Sequence, residues 1–127
     1  MIYGIGTDIL QIKRIADMSK KMGWAFAHQV LGTRELPVYA NLIDSKTLAV
    51  NYLARRFAAK EAFVKASGID NLDMRQVEVL NHENGAPYLA LSGKPSLQMG
   101  STEWAHHVTI SDSDDYVTAV VICERNV

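Results

Sequence analysis

Apolar positions change their period several times along the chain, and each change predicts a new element. The first ten residues alternate in hydrophobicity and include three isoleucines, a pattern typical of a β-strand. After this strand the apolar side chains recur with helical spacing, which indicates helices with one buried face. Three helices are predicted here: one from Ile12, one from about Trp24 to Leu31 that stops at Gly32, and one from a Thr33 cap through Leu42 with Pro37 near its start.

The strongest helical signal covers residues 45–67. This stretch is rich in Ala, Leu, Lys and Arg, contains neither Gly nor Pro, and ends at Gly68. Small residues recur within it at every fourth position: Ala54, Ala58 and Ala62. Because such a stripe lets another backbone approach closely, we expect this long helix to lie in the packed centre of the fold.

The second half of the chain returns to a β pattern, interrupted once by a short helix. Strands are predicted at residues 77–79, 88–91, 107–110 and 116–122, and the helix at 94–99. The turn at 84–87 and the acidic turn at 112–115 connect neighbouring strands. The order of the elements predicts an α+β fold in which a mostly antiparallel sheet packs against one long helix.

Composition indicates a single globular domain over residues 1–127. Apolar residues make up 48% and charged residues 21%, which are ordinary values that exclude general disorder. The single cysteine, Cys123, excludes an internal disulfide and cysteine-rich zinc sites, and it favours a reducing, cytoplasmic setting. The longest apolar run, at 117–123, is far too short to cross a bilayer. We expect neither a membrane nor a nucleic acid as a partner.

Charge is distributed unevenly although the net charge is only −1. Residues 1–67 contain ten Lys and Arg against five Asp and Glu, a balance of +5, whereas residues 68–127 contain three against nine, a balance of −6. A basic N-terminal half is consistent with an acidic partner or a phosphate-bearing ligand. The alternative is that two solvated faces differ in charge without any function.

A carboxylate, Asp8, follows two glycines on the first predicted strand. Gly4 and Gly6 match two of the three glycines of a dinucleotide-binding loop, but the third is missing and no helix begins there, so a Rossmann site is disfavoured. Glycines on a strand do let another backbone approach. Asp8 is therefore either a turn or cap residue, or a ligand held on a tightly packed strand.

A second carboxylate, Glu61, lies among Ala and Phe in the packed part of the long helix. One interpretation is a surface ion pair with Lys65, four residues later. The other is that an ionised group in apolar surroundings has a metal or phosphate partner. Together with Arg56 and Lys65, which could neutralise phosphate, Asp8 and Glu61 have the composition of a magnesium–phosphate site.

The histidines show no zinc-ligand spacing. His106 and His107 fall on opposite faces of their predicted strand, so one of them could face a cleft and act as a base or stack on a ligand. We expect His28 and His82 on the surface.

Four motifs in this chain resemble those of the holo-[acyl-carrier-protein] synthases, a family of 4′-phosphopantetheinyl transferases. The first is Gly-Ile-Gly-Thr-Asp at 4–8, followed by Arg14, and the second is Arg-Phe-Ala-Ala-Lys-Glu-Ala-Phe-Val-Lys-Ala at 56–66. Asn-Gly-Ala-Pro at 84–87 and His-Val-Thr-Ile-Ser at 107–111 resemble the family's later motifs. Order, spacing and chain length agree with the small, trimeric bacterial class.

The resemblance implies the 4′-phosphopantetheinyl transferase fold and its activity in fatty acid biosynthesis. The 4′-phosphopantetheine group of coenzyme A would pass to a serine of an acidic apo acyl carrier protein, with release of adenosine 3′,5′-bisphosphate. Mg²⁺ would be bound by Asp8 and Glu61, and Glu61 and Lys65 would be catalytic. Coenzyme A would contact the following residues: Arg56, Lys65, Gly85, Ala86, Pro87 and His107.

The same resemblance implies that Arg14 docks the carrier protein and that the enzyme is a homotrimer with shared active sites. The general base is left open between Glu61, acting through a metal-bound water, and His107.

Two other functions fit parts of the pattern. A different magnesium-dependent, phosphate-handling enzyme, such as a small nucleotide hydrolase, would need the same carboxylates but no acidic protein partner. A non-catalytic module that binds an acidic partner would need only the basic first helix, with Asp8 and Glu61 as a structural ion site.

Overall fold

The computed structural model describes residues 1–126, and it has the α+β architecture expected from the sequence. Its strands are β1 (Ile2–Gln11), β2 (Val77–Asn81), β3 (Pro87–Leu91), β4 (Trp104–Asp112) and β5 (Tyr116–Arg125). Its helices are α1 (Ile12–Met22), α2 (Trp24–Val30), α3 (Leu36–Leu42), α4 (Lys46–Ser67) and α5 (Gly93–Met99), with one 3₁₀ turn at Met74–Gln76. The 3₁₀ turn is the one element that the apolar pattern does not predict.

The strands form two antiparallel sheets rather than one. The larger sheet has the order β1-β5-β4, and β2 and β3 form a separate hairpin. In the larger sheet Asp8 lies opposite Ala119, and His107 lies opposite Ile122. Since neighbouring positions on β5 point to opposite faces, Asp8 and His107 belong to different faces of this sheet.

Helix α4 begins and ends where the sequence predicts. The Ser45 hydroxyl accepts a hydrogen bond from the Leu48 backbone N–H, and Gly68 closes the helix with a φ of 71°. The predicted small-residue stripe, Ala54, Ala58 and Ala62, is fully buried. The prediction of a long, packed helix is confirmed.

Strand β1 lies directly against the backbone of α4. A Cβ atom on Gly6 would come within 2.0 Å of the Ala62 carbonyl oxygen, and one on Gly4 would come equally close to that of Ala66. No side chain fits in either gap, so only glycine permits this approach. The glycines of the first motif therefore bring Asp8 close to α4.

The start of α3 differs from the prediction. The helix begins at Leu36 rather than after a cap at Thr33, although Pro37 does lie in its first turn. Glu35 immediately precedes it, is fully buried, and accepts a hydrogen bond from the Gly32 backbone N–H. The residue before α3 is therefore the buried Glu35 and not the predicted cap Thr33.

The larger sheet has two unlike faces. On the inner face, against α4, alternate residues of β5 are buried: Val117, Ala119, Val121 and Cys123. On the outer face, Ile5 and Ile9 of β1 are 61% and 68% exposed. Large apolar side chains of β1 are thus left uncovered by the described residues on a face that also carries polar groups such as His107 and Glu124. Within residues 1–126, no helix combines the length and apolarity that a membrane span requires.

Candidate functional site

The C-terminal half of β1 places Asp8 beside the second half of α4. The Lys65 ammonium donates hydrogen bonds to the Thr7 carbonyl oxygen at 2.9 Å and to Asp8 Oδ1 at 3.3 Å. The Asp8 side chain is only 16% exposed, whereas Lys65 is more than half exposed. Two motifs that are 57 positions apart in the chain therefore meet at one ion pair.

Glu61 belongs to the same group of charges. Partial burial raises the pKa of its carboxyl, and the negative charge of Asp8 raises it further, while the cations Lys65 and Arg14 act in the opposite direction. Lys65 forms its ion pair with Asp8, so the surface pair between Glu61 and Lys65, one of the two interpretations of the sequence, is not the arrangement seen here. We name Asp8, Glu61 and Lys65 the carboxylate cluster.

The carboxylate cluster has a donor set that fits Mg²⁺. It offers two carboxylates close enough for one to disfavour ionisation of the other, with a single lysine bonded to one of them. Magnesium favours hard oxygen ligands and retains waters or takes substrate phosphates beside one or two carboxylates. Residues 1–126 hold no group of three or more His, Cys, Asp or Glu that could bind a metal. Ligands from water or substrate would have to complete the coordination.

Arg56 lies in a second cluster, on a different face of α4. Its Nη2 donates to Asn81 Oδ1 at 2.6 Å, and its guanidinium lies 4.1 Å from the centre of the Tyr52 ring. The amide of Asn81 in turn donates to the Gly85 carbonyl oxygen at 2.9 Å. Asn81 thus connects Arg56 to the turn that carries the third motif.

That turn has the geometry its sequence predicts. Gly85 has a φ of 90°, which favours glycine, and the Asn84 side chain accepts a hydrogen bond from the Ala86 N–H at 3.0 Å. Pro87 then begins β3. The hairpin therefore holds the turn next to Arg56.

A cavity of about 620 Å³ opens between Arg56 and the hairpin. Three arginines line it, together with Tyr52 and Tyr88: Arg34, Arg55 and Arg56. Arg34 is bonded to Glu78 and Arg55 to Asp112, whereas Arg56 has the neutral Asn81 as its partner. The cavity combines cations with aromatic rings, which suits an anionic ligand that carries a flat ring.

The predicted site residues do not all come together in one chain. Five positions separate Arg56 from Glu61, which places their side chains about 140° apart around an α-helix. His107 lies on the outer face of the sheet, where its Nε2 is 3.0 Å from Glu124 Oε1. The chain therefore presents three separate groups: the carboxylate cluster, the arginine-lined cavity and His107.

The other histidines have structural or surface positions. His106 packs edge-on against Phe63, and its Nε2 is 2.9 Å from the Met99 carbonyl oxygen. His28 and His82 are exposed, as expected.

Helix α1 presents Arg14 on the surface beside the carboxylate cluster. The charge of Arg14 lowers the pKa of Glu61, so the two groups are neighbours. Arg14 also borders a mostly apolar cavity of about 260 Å³, whose other lining residues are Ile15, Met18, Phe26 and Phe57 and the acidic Asp17. A basic group next to an apolar hollow is the arrangement that a partner with acidic and apolar side chains would fit.

Sequence reasoning missed the partner of Lys60. The Lys60 ammonium and the Glu35 carboxylate are both fully buried and form an ion pair of 2.6 Å. Lys60 could have been noticed as a charged residue in the packed part of α4. Nothing in the pattern around Glu35 distinguishes it from a solvated acid.

A family model described as the 4′-phosphopantetheinyl transferase superfamily matches residues 4–121 of the chain. The holo-[acyl-carrier-protein] synthase of Burkholderia lata is 41% identical, over 98% of this chain and 91% of that protein. The protein of the same name from Burkholderia multivorans is 40% identical, over 97% of this chain and 87% of that protein.

Solved structures give the same result. A crystal structure of holo-[acyl-carrier-protein] synthase from Neisseria meningitidis matches with a TM-score of 0.88 and 38% identity, over 98% of this chain and 100% of that one. The synthase from Bacillus anthracis, solved in complex with CoA (3′,5′-ADP), matches with a TM-score of 0.81 and 34% identity, over 98% of both chains.

These likenesses extend over almost the whole chain, so they include every motif on which the resemblance was based. The α+β fold and the enzyme class expected from those motifs are both confirmed. The chain belongs to the holo-[acyl-carrier-protein] synthase family of the 4′-phosphopantetheinyl transferase superfamily.

Proposed function

We propose that Asp8 and Glu61 bind the Mg²⁺ with which this chain transfers 4′-phosphopantetheine from coenzyme A to a serine of apo acyl carrier protein. The reaction follows from membership of the family. The metal role is supported above all by geometry, because Lys65, one helical turn after Glu61, bonds to Asp8 Oδ1 at 3.3 Å and so brings both carboxylates to one place. Burial, and then the charge of Asp8, raise the pKa of Glu61 there. Two carboxylates held close together at a partly buried position favour a cation between them.

The transfer requires bond formation between the serine oxygen and the β-phosphorus of coenzyme A. The bond from that phosphorus to the bridging oxygen breaks, and adenosine 3′,5′-bisphosphate leaves with the electron pair. Bound Mg²⁺ would supply charge stabilisation to the pyrophosphate oxygens. Lys65, held by Asp8 and the Thr7 carbonyl, adds a positive charge at the same place. The serine proton passes to a base, for which Glu61 through a water and His107 are the two candidates.

The arginine-lined cavity is the proposed site for the nucleotide end of coenzyme A. Of the three arginines in the cavity, Arg56 is the one bonded to a neutral partner, Asn81, and Tyr52 and Tyr88 provide ring faces. The turn formed by Gly85, Ala86 and Pro87 would border the nucleotide, because Asn81 holds it beside Arg56. The cations and aromatic rings of this cavity suit an adenosine bisphosphate.

Arg14 is the proposed docking residue for the carrier protein. It is exposed on α1, and it lies near the carboxylate cluster at which the carrier serine must arrive. An acidic carrier would be attracted by the basic N-terminal half of the chain. A cytoplasmic location also stays a prediction from the sequence.

We further propose a homotrimer in which neighbouring subunits share each active site. The outer face of the sheet, on which Ile5 and Ile9 of β1 are exposed, would be covered by other copies of the chain. His107 lies on that outer face, opposite Ile122, so it can approach a carboxylate cluster only from another copy. If His107 is the base, it would therefore act at the carboxylate cluster of a neighbouring subunit.

The metal proposal is tested by mass spectrometry of an apo carrier protein incubated with the enzyme, coenzyme A and Mg²⁺. The carrier should gain one phosphopantetheine, and Asp8→Asn or Glu61→Gln should slow that gain about 100-fold or more. Glu103→Gln, which removes an exposed acid paired with Arg125, is the matched control and should leave the rate unchanged. Unaltered turnover in Glu61→Gln would rule out its metal role. Release of adenosine bisphosphate without any carrier protein would instead favour a nucleotide hydrolase.

Assembly is tested by sedimentation equilibrium. The chain should sediment as a trimer, and Ile5→Glu should dissociate it, whereas Ile43→Glu, at an exposed isoleucine outside the sheet, should not. Mixing Glu61→Gln chains with His107→Ala chains should recover part of the activity, because some sites then combine two intact halves. An active monomer, or no recovery from well-folded mixtures, would contradict shared sites.

A further inference from the structure

Lys60 is a fully buried cation in the second motif that the proposed chemistry does not use. Its ammonium has three N–H donors, and the structure provides an acceptor for each: the carbonyl oxygens of Val30 and Met74 and the carboxylate of Glu35. The side chain is 0% exposed. A cation buried to this degree persists only when all its donors are bonded, and this one is completely satisfied.

Glu35 extends the same bonds to two other segments. Its Oε1 accepts from the Gly32 backbone N–H as well as from Lys60, and its Oε2 accepts from the Val79 backbone N–H at 3.0 Å. The pair therefore joins α4, the connection before α3 and strand β2. Each of these bonds is directional, so together they set the rotation of α4 about its own axis.

On the opposite side, the backbone of α4 lies directly against the glycines of β1, so the helix is held between this strand and the buried ion pair. Lys60 directly precedes Glu61 and follows Arg56 by one helical turn. A rotation of α4 would therefore displace Glu61 from Asp8 and Arg56 from Asn81 at the same time.

We propose that Lys60 and Glu35 are positioning residues, whose buried ion pair fixes α4 so that Glu61 faces Asp8 while Arg56 faces the hairpin. The inference rests on the roles proposed above for Glu61 and Arg56. It assigns the pair to the geometry of the site rather than to stability, because replacing both members of a buried pair together often leaves stability unchanged.

The test is the double variant Lys60→Met/Glu35→Gln, which shortens the lysine by one atom, keeps the length of the glutamate and leaves no lone buried charge. It is assayed at a temperature where circular dichroism shows it fully folded. We expect kcat to fall about 10- to 100-fold, as for other small displacements of reacting groups. The KM for Mg²⁺ should rise, excess Mg²⁺ should restore part of the rate, and calorimetry should show weaker binding of adenosine 3′,5′-bisphosphate. Asp73→Asn/Arg75→Gln, which removes an exposed pair next to Met74, is the matched control and should change none of these.

A folded double variant with wild-type kcat, KM and bisphosphate affinity would overturn the proposal. If that variant does not fold, Lys60→Leu/Glu35→Leu replaces it, and failure of both to fold would also overturn a role confined to positioning. The metal assignment and the positioning proposal are contradicted by different results. Unchanged turnover in Glu61→Gln refutes the metal assignment. The affinity for adenosine 3′,5′-bisphosphate tests the position of Arg56, and it is measured without metal and without turnover.

Discussion

Helix α4 has two charged faces that differ in how their charges are satisfied. On one face, Lys60 and Glu35 are fully buried and every donor of the lysine is bonded within the chain. On the other, Lys65 bonds to Asp8, and burial together with the charge of Asp8 raises the pKa of Glu61. Burial alone therefore does not mark the functional face. What distinguishes the functional face is that one carboxylate opposes the ionisation of another there, an effect that a bound cation would relieve.

The largest effect is expected when the buried ion pair between Lys60 and Glu35 is broken. Lys60→Met leaves the Glu35 carboxylate buried without its cation, and we expect a loss of about 3–5 kcal/mol in the free energy of unfolding, measured by urea denaturation. Adding Glu35→Gln should restore most of that loss. Equal destabilisation in the single and double variants would show that the ion pair does not act as a unit.

An intermediate effect, on the KM for the carrier protein, is expected at Arg14, next to the carboxylate cluster. Arg14→Glu should raise the KM for the carrier protein about 10-fold and weaken its salt dependence, because a steering charge is reversed. The KM for coenzyme A should stay nearly the same. Arg75→Glu makes the same reversal at another exposed arginine and serves as the control. Equal damage to both substrates would indicate misfolding or a shared site instead.

The smallest effect concerns the contribution of the Glu61 charge to stability. Because the folded pKa of Glu61 is raised, its ionised form costs stability once the pH exceeds the ordinary carboxyl range, and the cost is fully present above the folded pKa. Glu61→Gln should therefore melt slightly higher than wild type at neutral pH without metal, by a few degrees at most since the group is partly exposed. The difference should vanish below about pH 4.

Addition of Mg²⁺ sharpens that measurement. Wild type should gain thermal stability by linkage to binding, and Glu61→Gln should gain less. A variant that melts lower than wild type without metal, or that gains as much from Mg²⁺, would contradict the proposed charge balance.

The parts of this site that depend on local pattern could be predicted from the sequence. The caps of α4 at Ser45 and Gly68, the glycines of β1 and the turn at Gly85 each follow from the conformation that one residue type favours. The two acids of the carboxylate cluster could also be predicted, because Asp8 and Glu61 are carboxylates in glycine-rich or apolar surroundings.

What could not be predicted depends on contacts between distant segments. Glu35 looks like a surface acid until β2 and α4 close over it, and the start of α3 shifts as a result. The position of His107 on the outer face follows from strand register, which no motif spacing encodes. The separation of Arg56 from Glu61, by contrast, already follows from their five-residue spacing on a helix.

The pairing of β1 determines when this strand can fold during synthesis of the chain. Its neighbour in the sheet is β5, so Asp8 pairs with Ala119 and Ile2 pairs with Glu124. During synthesis, β1 must wait for almost the entire chain before its strand partner exists. Such distant contacts slow folding. Binding of metal at Asp8 would therefore report completed folding, and a nascent or truncated chain without β5 would lack the strand that holds this carboxylate against α4.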